Sequence, residues 1–520
     1  MANLLAKKPL HWIMEESAES GEHSLKRALG ATNLISLGIG AIIGTGIFVL
    51  TGTATANHAG PAIVLSFVLA AVACVFAGLC YAEFASMIPV AGSAYTYGYA
   101  TLGEIVAWII GWDLILEYAL GAATVASGWS GYVLSFLQDF GVRLTPKLAG
   151  TPGMKFVFYQ GHWENLARVA KRLAIDHVNP ATLPSQLASF NLFGFIGIML
   201  VTIVLVIGIK ESANLNSLIV IIKVCVLMVF IGLGANYIFG HWSDAVANWH
   251  PFIPANTGSY GNFGLSGIAT AAGVIFFAYI GFDCVSTAAQ EAKNPAKDMP
   301  IGILGSLVIC TILYILVAGV LTGLVSYRLL NVPDPIAVGI DVTGVRWGSF
   351  LVKLGAICGL SSTMLVMLLG QSRVFFSMSK DGLLPQWASK VHPRFRTPYL
   401  SSIFVGVCVA TVAALTPIDV LGEMVSIGTL LAFVIVCAGV WILRARKTEV
   451  KRAFVTPWVP FTPIMGITVS LLMMYSLQTA TWIRLVVWLI IGMAIYFGYS
   501  RRHSKVQAVY AEPVPAPAGD

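Results

Sequence analysis

About twelve times along this chain an apolar run appears that is long enough to cross a bilayer. The runs fall at roughly 32–52, 61–88, 101–138, 191–209, 215–239, 263–289, 300–326, 346–379, 399–416, 420–443, 459–479 and 482–500. Some twenty residues of helix span a hydrocarbon core, and lipid leaves the backbone no other partner than its own helix. A chain of 520 residues that is 57% apolar and only 11% charged is therefore expected to be an all-α polytopic membrane protein with one bundle. The net charge of +7 does not point to nucleic acid, because the basic residues sit in short segments between apolar runs. The eight cysteines all fall in apolar stretches, without metal spacing or a disulfide framework.

The first run carries an anomaly, Gly38-Ile-Gly-Ala-Ile-Ile-Gly-Thr-Gly-Ile-Phe48. Each glycine weakens a helix by about 1 kcal/mol relative to alanine, so a helix that only had to cross lipid would avoid four of them. One explanation is close packing through Gly40-x-x-x-Gly44. The other is a helix unwound near Ile42–Gly46, whose freed amides face an anion and freed carbonyls a cation.

A second interruption lies in the sixth run. Gly273 and Gly281 flank Phe276, Phe277, Tyr279 and Phe282, and Asp283 stands in mid-span. Runs 1–5 and 6–10 would then each begin with a broken helix, and paired breaks mark a transporter site at the midplane. Five is odd, so the second half must insert upside down. The expected organisation is a cytoplasmic tail (1–30), a first repeat (31–240), an inverted second repeat (241–445), two appended helices (446–505) and a disordered tail (506–520). The first repeat carries a polar insertion at 141–190, with a short amphipathic helix expected near 162–174.

Basic residues set the orientation. With the N-terminus inside, the inner segments hold 20 of the 31 Lys and Arg. The outer segments hold eight, six of them in the insertion. Both termini are expected in the cytoplasm, and residues 1–30 lack the apolar core of a cleavable signal.

Ionisable groups inside a membrane are functional candidates. Lys223 lies two turns into the fifth run, where it either snorkels or, if buried, gains and loses a proton during a cycle. Asp113 and Glu117 share one face of the third run. Asp283 either caps the second half of the sixth or lines the pocket. Glu83, Lys210-Glu211, Arg373, Lys380 and Asp381 read first as solvated charges and second as inner-gate ion pairs. All nine histidines lie in tails, loops or span ends, which argues against a histidine relay or metal site.

Gly-Ala-Ile-Ile-Gly-Thr-Gly-Ile-Phe, Tyr81-Ala-Glu-Phe-Ala-Ser-Met-Ile-Pro-Val-Ala-Gly-Ser-Ala-Tyr95, Gly111-Trp-Asp-Leu-Ile-Leu-Glu-Tyr118, Gly-Ile-Lys-Glu-Ser-Ala, Phe-Phe-Ala-Tyr-Ile-Gly-Phe-Asp, Glu291-Ala-Lys-Asn-Pro295 and Ser379-Lys-Asp-Gly-Leu-Leu-Pro385 follow in order. They resemble the amino acid–polyamine–organocation transporters, most of all bacterial members of the cationic amino acid transporter branch. The resemblance covers about residues 25–500 and departs at the insertion. It implies a LeuT-type fold of twelve helices, five plus five inverted and two appended, and proton-coupled amino acid transport. It implies that the amides of Gly44, Thr45 and Gly46 hold the substrate carboxylate, with Ile43 among the substrate-binding residues. The carbonyls of Ile42, Phe277, Ala278 and Ile280 would then hold the ammonium. Lys223 matches the family's fifth-span lysine, which bridges toward the first span. Glu117, Asp283 and Met367 match positions that look toward the side-chain pocket. The long thioether of Met367 implies small neutral substrates, whereas the two carboxylates favour cationic ones.

The reading is a proton-coupled importer of L-amino acids in the plasma (inner) membrane, with no cofactor beyond the coupling proton. Its partners would be an amino acid and the bilayer, with no nucleic acid. A monomer is expected, with a small accessory subunit left open. The alternatives are an exchanger, or a sodium-coupled carrier using hydroxyls such as Ser361 and Ser362. A more remote one is an amino acid sensor. An enzyme is not expected: no nucleophile–base pair or phosphate loop is visible, and Gly38-x-Gly40-x-x-x-Gly44 lacks the dinucleotide spacing.

Overall fold

A computed structural model describes residues 4–511 apart from 10–11, 13–28, 88–92, 143, 167–168, 170–172, 174–175, 208–212, 288, 290–291, 333, 396 and 447–451. Most of the tail 1–30, Pro89 to Gly92, the Lys210-Glu211-Ser212 loop, Glu291 and the last nine residues lie outside them.

The helices are α1 (Ala31–Ile42), α2 (Ile63–Met87), α3 (Ser93–Thr101), α4 (Glu104–Asp139), α5 (Leu192–Ile207), α6 (Ala213–Gly240), α7 (Trp242–Trp249) and α8 (Gly264–Ile275). They continue with α9 (Pro295–Leu324), α10 (Pro335–Val342), α11 (Arg346–Lys380), α12 (Tyr399–Leu415), α13 (Ile418–Arg446), α14 (Phe461–Ser476) and α15 (Thr479–Ile495). Among the described residues, seven helical stretches are long and apolar enough to cross a membrane: Gly46–Met87, Glu104–Asp139, Leu218–Gly240, Pro295–Leu324, Arg346–Lys380, Val420–Arg446 and Thr479–His503. Five shorter apolar helices accompany them, at Ala31–Ile42, Leu192–Ile207, Gly264–Tyr279, Tyr399–Leu415 and Phe461–Ser476. The chain is a predominantly helical, multi-pass membrane protein. Its outer surface agrees: α15 exposes Ile483, Val486, Val487, Ile490 and Ile491, an apolar stripe at helical spacing suited to lipid.

Both predicted interruptions are present. α1 stops at Ile42; Ile43 is extended (ψ 97°), and helix resumes at Gly46 with wide turns over Gly46–Leu50 and Thr55–Ala59. In the second, α8 tightens into a 3₁₀ turn at Phe276–Tyr279, and Gly281 takes φ +121° before the one-turn helix Cys284–Thr287. Only glycine adopts that φ readily. The core around them is built by α4 against α11 and α13, and by α9 against α1 and α2.

Three expectations need correction. The run at 101–138 is a helix only from Glu104, because Gly103 has φ +107° and separates α3 from α4. The helix expected near 162–174 begins later: residues 162–165 are strand, and of the described residues beyond them Leu166, Val169 and Leu173 are helical. Lys155–Tyr159 (β1) turns at Gln160-Gly161, both with positive φ, into His162–Asn165 (β2), and Ser185–Leu187 (β3) pairs on β1's other edge. The register is antiparallel, Val157 opposite Glu164 and Tyr159 opposite His162. Finally, Lys505–Ala511 is a helix rather than the start of a disordered tail. It packs against the start of α4: Ser504 Oγ, just before the helix, and Gln507 Nε2, within it, both donate to Glu104.

Candidate functional site

The two interruptions meet. A Cβ added at Gly46 would stand 2.1 Å from the Cα of Ala278, and one at Gly281 would stand 2.7 Å from the carbonyl carbon of Ala41. Gly46 and Gly281 thus serve close approach as well as unwinding. Gly44 faces a third helix: its added Cβ would touch Thr363 Cγ2 of α11 at 2.9 Å.

Freed backbone groups surround this crossing. Ile43 N and Phe48 N find carbonyls (Ile39 O, 2.9 Å; Gly44 O, 3.2 Å), whereas Gly44, Thr45 and Gly46 donate none of the loop or cap bonds. The Thr45 hydroxyl is buried without a partner. On the carbonyl side, Tyr314 of α9 donates its phenol to both Ile42 O (2.8 Å) and Ala278 O (2.9 Å), one hydroxyl stapling the two breaks. Phe277 O accepts from Ile280 N at 3.2 Å.

Lys223 does not snorkel. It is fully buried, and its Nζ donates to Gly40 O (2.7 Å), Ile43 O (3.0 Å) and Thr363 Oγ1 (3.0 Å). Three acceptors satisfy the three ammonium donors. The lysine links α6 to the first break and to α11. Gly359 allows it through, since an added Cβ there would meet the lysine stem at 3.1 Å.

The opposite flank carries the carboxylates. Asp283 Oδ1 accepts from Gly281 N (3.1 Å) and its Oδ2 from the Tyr118 phenol (3.3 Å), so its side chain shapes the second break and ties it to α4. Glu117 is buried on α4, next in sequence to Tyr118, which donates to Asp283, and one turn after Asp113. Met367 of α11 reaches across α4 at Gly121, one turn from Glu117, with its sulfur 3.5 Å from an added Cβ.

The structure therefore gathers Ile42, Ile43, Gly44, Thr45, Gly46, Phe277, Ala278, Ile280, Asp283, Glu117, Met367 and Lys223 around one locus. Ser361 and Ser362 are not part of it. Ser361 Oγ donates to Ile357 O and accepts from Trp129 Nε1, and Ser362 Oγ donates to Gly359 O. The hydroxyl at the break is Thr363, the next residue. Sequence reasoning missed Thr363 and Tyr314. The available signal was a phenol stranded in mid-span, in Thr311-Ile-Leu-Tyr314.

At the end of the bundle expected to face the cytoplasm, Glu83 and Asp381 are not solvated charges. Glu83 is buried and accepts from Arg444 (2.6 and 3.1 Å) and from Thr456 N (2.9 Å), with Arg452 at 3.3 Å. Asp381 accepts from Lys8 Nζ (2.8 Å) and the Tyr95 phenol (2.6 Å). Lys380 remains exposed, over the ring of Phe376.

Residues 29–503 match the family model described as amino acid permease. The chain is 45% identical over 491 residues to the branched-chain amino acid permease BcaP of Bacillus subtilis (strain 168), covering 94% of this chain and 96% of that one. It is 41% identical over 504 residues to the methylthioribose transporter of the same organism, covering 97% and 99%. It is 38% identical over 425 residues to the vacuolar cationic amino acid transporter 4 of Arabidopsis thaliana, covering 82% of this chain and 64% of that one. A helical membrane bundle with two interrupted helices crossing at its centre, matched along nearly its whole length, belongs to the amino acid permease family of the amino acid–polyamine–organocation superfamily, whose members are transporters and not enzymes.

Proposed function

We propose that the protein is a proton-coupled symporter that imports L-amino acids across the plasma (inner) membrane by alternating access. The twelve apolar helical stretches are read as a LeuT-type arrangement. Residues 31–240 and 241–445 are the two inverted repeats, 446–505 supply two further helices, and both termini are cytoplasmic. The observation that carries the reading is the ammonium of Lys223 on the carbonyls of the first break, where a transported metal cation would otherwise sit. A buried ammonium on neutral acceptors holds one removable charge, and loss of its proton would release α1 from α6 and α11.

The substrate carboxylate would lie on the amides of Gly44, Thr45 and Gly46 at the resumed helix start. Its ammonium would lie on the carbonyls of Ile42, Phe277, Ala278 and Ile280. Tyr314 uses one lone pair of Ile42 O and of Ala278 O, and each carbonyl keeps a second. Met367 closes the pocket beyond the α-carbon and favours small neutral side chains. The similarity to a branched-chain amino acid permease supports a neutral aliphatic substrate, while Glu117 and Asp283 are the features that would favour a cation.

The test is purified protein in proteoliposomes. Accumulation of labelled amino acid should follow an inwardly directed proton gradient and persist without sodium. Lys223→Ala should lower it about tenfold or more, as for the loss of a buried functional charge. Undiminished gradient-driven uptake in Lys223→Ala defeats the coupling assignment. Unlabelled arginine should compete poorly with labelled alanine; strong inhibition at low concentration defeats the neutral preference.

A further inference from the structure

One buried charge has no role in the site just described. Asp113 lies on α4 one turn before Glu117, on the same face, and about 14 Å along the helix from Glu104 at its inner end. It is fully buried. Neither of its carboxylate oxygens has a hydrogen-bond partner, and Glu117 Oε1 has none either. Across from Asp113 is the backbone of Gly428 on α13, where an added Cβ would lie 3.0 Å from Oδ1.

A lone carboxylate deep in a bilayer-length helix is costly as an anion, so its charge must be removed or matched. The surroundings offer no match. The titratable groups near the row are Glu117 on the same helix and Asp283 beyond it, with the phenols of Tyr81 and Tyr118 around those two. Tyr95 lies toward the inner side, against Gly111. α13 brings the backbone of Gly428 against it, and among the described residues no lysine, arginine or histidine bonds to either oxygen of Asp113. Among the described residues, Asp113 and Glu117 also join no group of three potential metal ligands. Asp113 and Glu117 stand one turn apart on one face of α4, and Asp283 is tied to the same helix through Tyr118, so three acids share this flank.

We propose that Asp113 is a proton-carrying station on the inner side of the substrate site, which receives the coupled proton from Glu117 and releases it toward the cytoplasm. This rests on the symporter reading above. While the helices are closed around it, Asp113 carries its proton and is neutral. When the inner side opens and water enters, its O–H bond breaks and the proton passes to water, leaving a hydrated carboxylate. A proton from Glu117 then restores the acid. The position is one that Lys223 cannot serve, because the lysine lies on the other flank of the breaks.

Asp113→Asn is nearly isosteric with the protonated acid but cannot release a proton. In proteoliposomes it should retain counterflow exchange of labelled for unlabelled amino acid, with KM within about twofold of the parent, while gradient-driven accumulation falls about tenfold. Infrared spectra at neutral pH should show a protonated carboxylic acid band that is absent in Asp113→Asn. Asp113→Ser serves if the asparagine variant does not fold, with the same two outcomes expected. Full gradient-driven accumulation in a folded variant, or an unchanged infrared band, overturns the proposal. Equal loss of counterflow and accumulation in a folded variant also overturns it, as a structural effect. If the parent itself shows no proton-driven accumulation while the infrared band is lost in the variant, it is the symporter reading that fails; Asp113 is then a protonated acid without a coupling role.

Discussion

Tyr314 concentrates the argument for single residues. Its phenol is the donor shared by Ile42 O and Ala278 O, on two different interrupted helices. Tyr314→Phe leaves both buried carbonyls one donor short, and an unsatisfied buried group costs about 1–3 kcal/mol. The expected result is a lower melting temperature in detergent and a raised KM, with normal membrane insertion. Scanning fluorimetry and an uptake curve would check both, and an unchanged KM would remove Tyr314 from the site. Gly46→Ala tests a different quantity. It keeps the amide but sets a methyl 2.1 Å from a backbone atom of Ala278. Overpacking costs about 1–3 kcal/mol when side chains can move, and here backbone must move. Transport should be lost, and Ala278→Gly should not restore it, because the clash is with Cα itself.

At the scale of elements, the sequence disclosed what it could express as glycine or as misplaced charge. The two interruptions were legible because glycine clusters and Asp283 contradict a simple crossing. Their mutual packing was not, since Gly46 against Ala278 joins residues more than two hundred positions apart. Lys223 stood out as a charge in an apolar run, but its three acceptors come from α1, its break and α11. The serines beside Thr363 misled because a run of hydroxyls does not say which one faces inward; that depends on the rotation of α11. The insertion misled for a chemical reason. Gln160-Gly161 is a two-residue turn with positive φ at both positions, between Lys-Phe-Val-Phe-Tyr and His-Trp-Glu-Asn, a hairpin signal hidden in a stretch of mixed polarity. Gly161→Val should therefore disturb only this sheet. Protease sensitivity of the insertion should rise, while uptake changes little.

For the molecule as a whole, the end of the bundle that carries Glu83 and Asp381 is held by buried ion pairs rather than by solvated charge. Glu83 at the end of α2 gathers Arg444 from α13 and the backbone of Thr456. Removing one partner of such a pair costs about 3–5 kcal/mol, because the other is left uncompensated. Glu83→Ala should thus give a protein that inserts but aggregates on extraction, seen as loss of the monodisperse peak in size-exclusion chromatography. Glu83→Gln, which keeps the acceptor oxygen, should be milder. The reciprocal contacts of Gly46 with Ala278 and of Gly281 with Ala41 reach further. Two anchor points define a line, and bodies pinned along a line cannot swivel independently. Whatever stroke carries cargo across must therefore swing both half-rods together as a single lever, with the Lys223 ammonium tied to its edge.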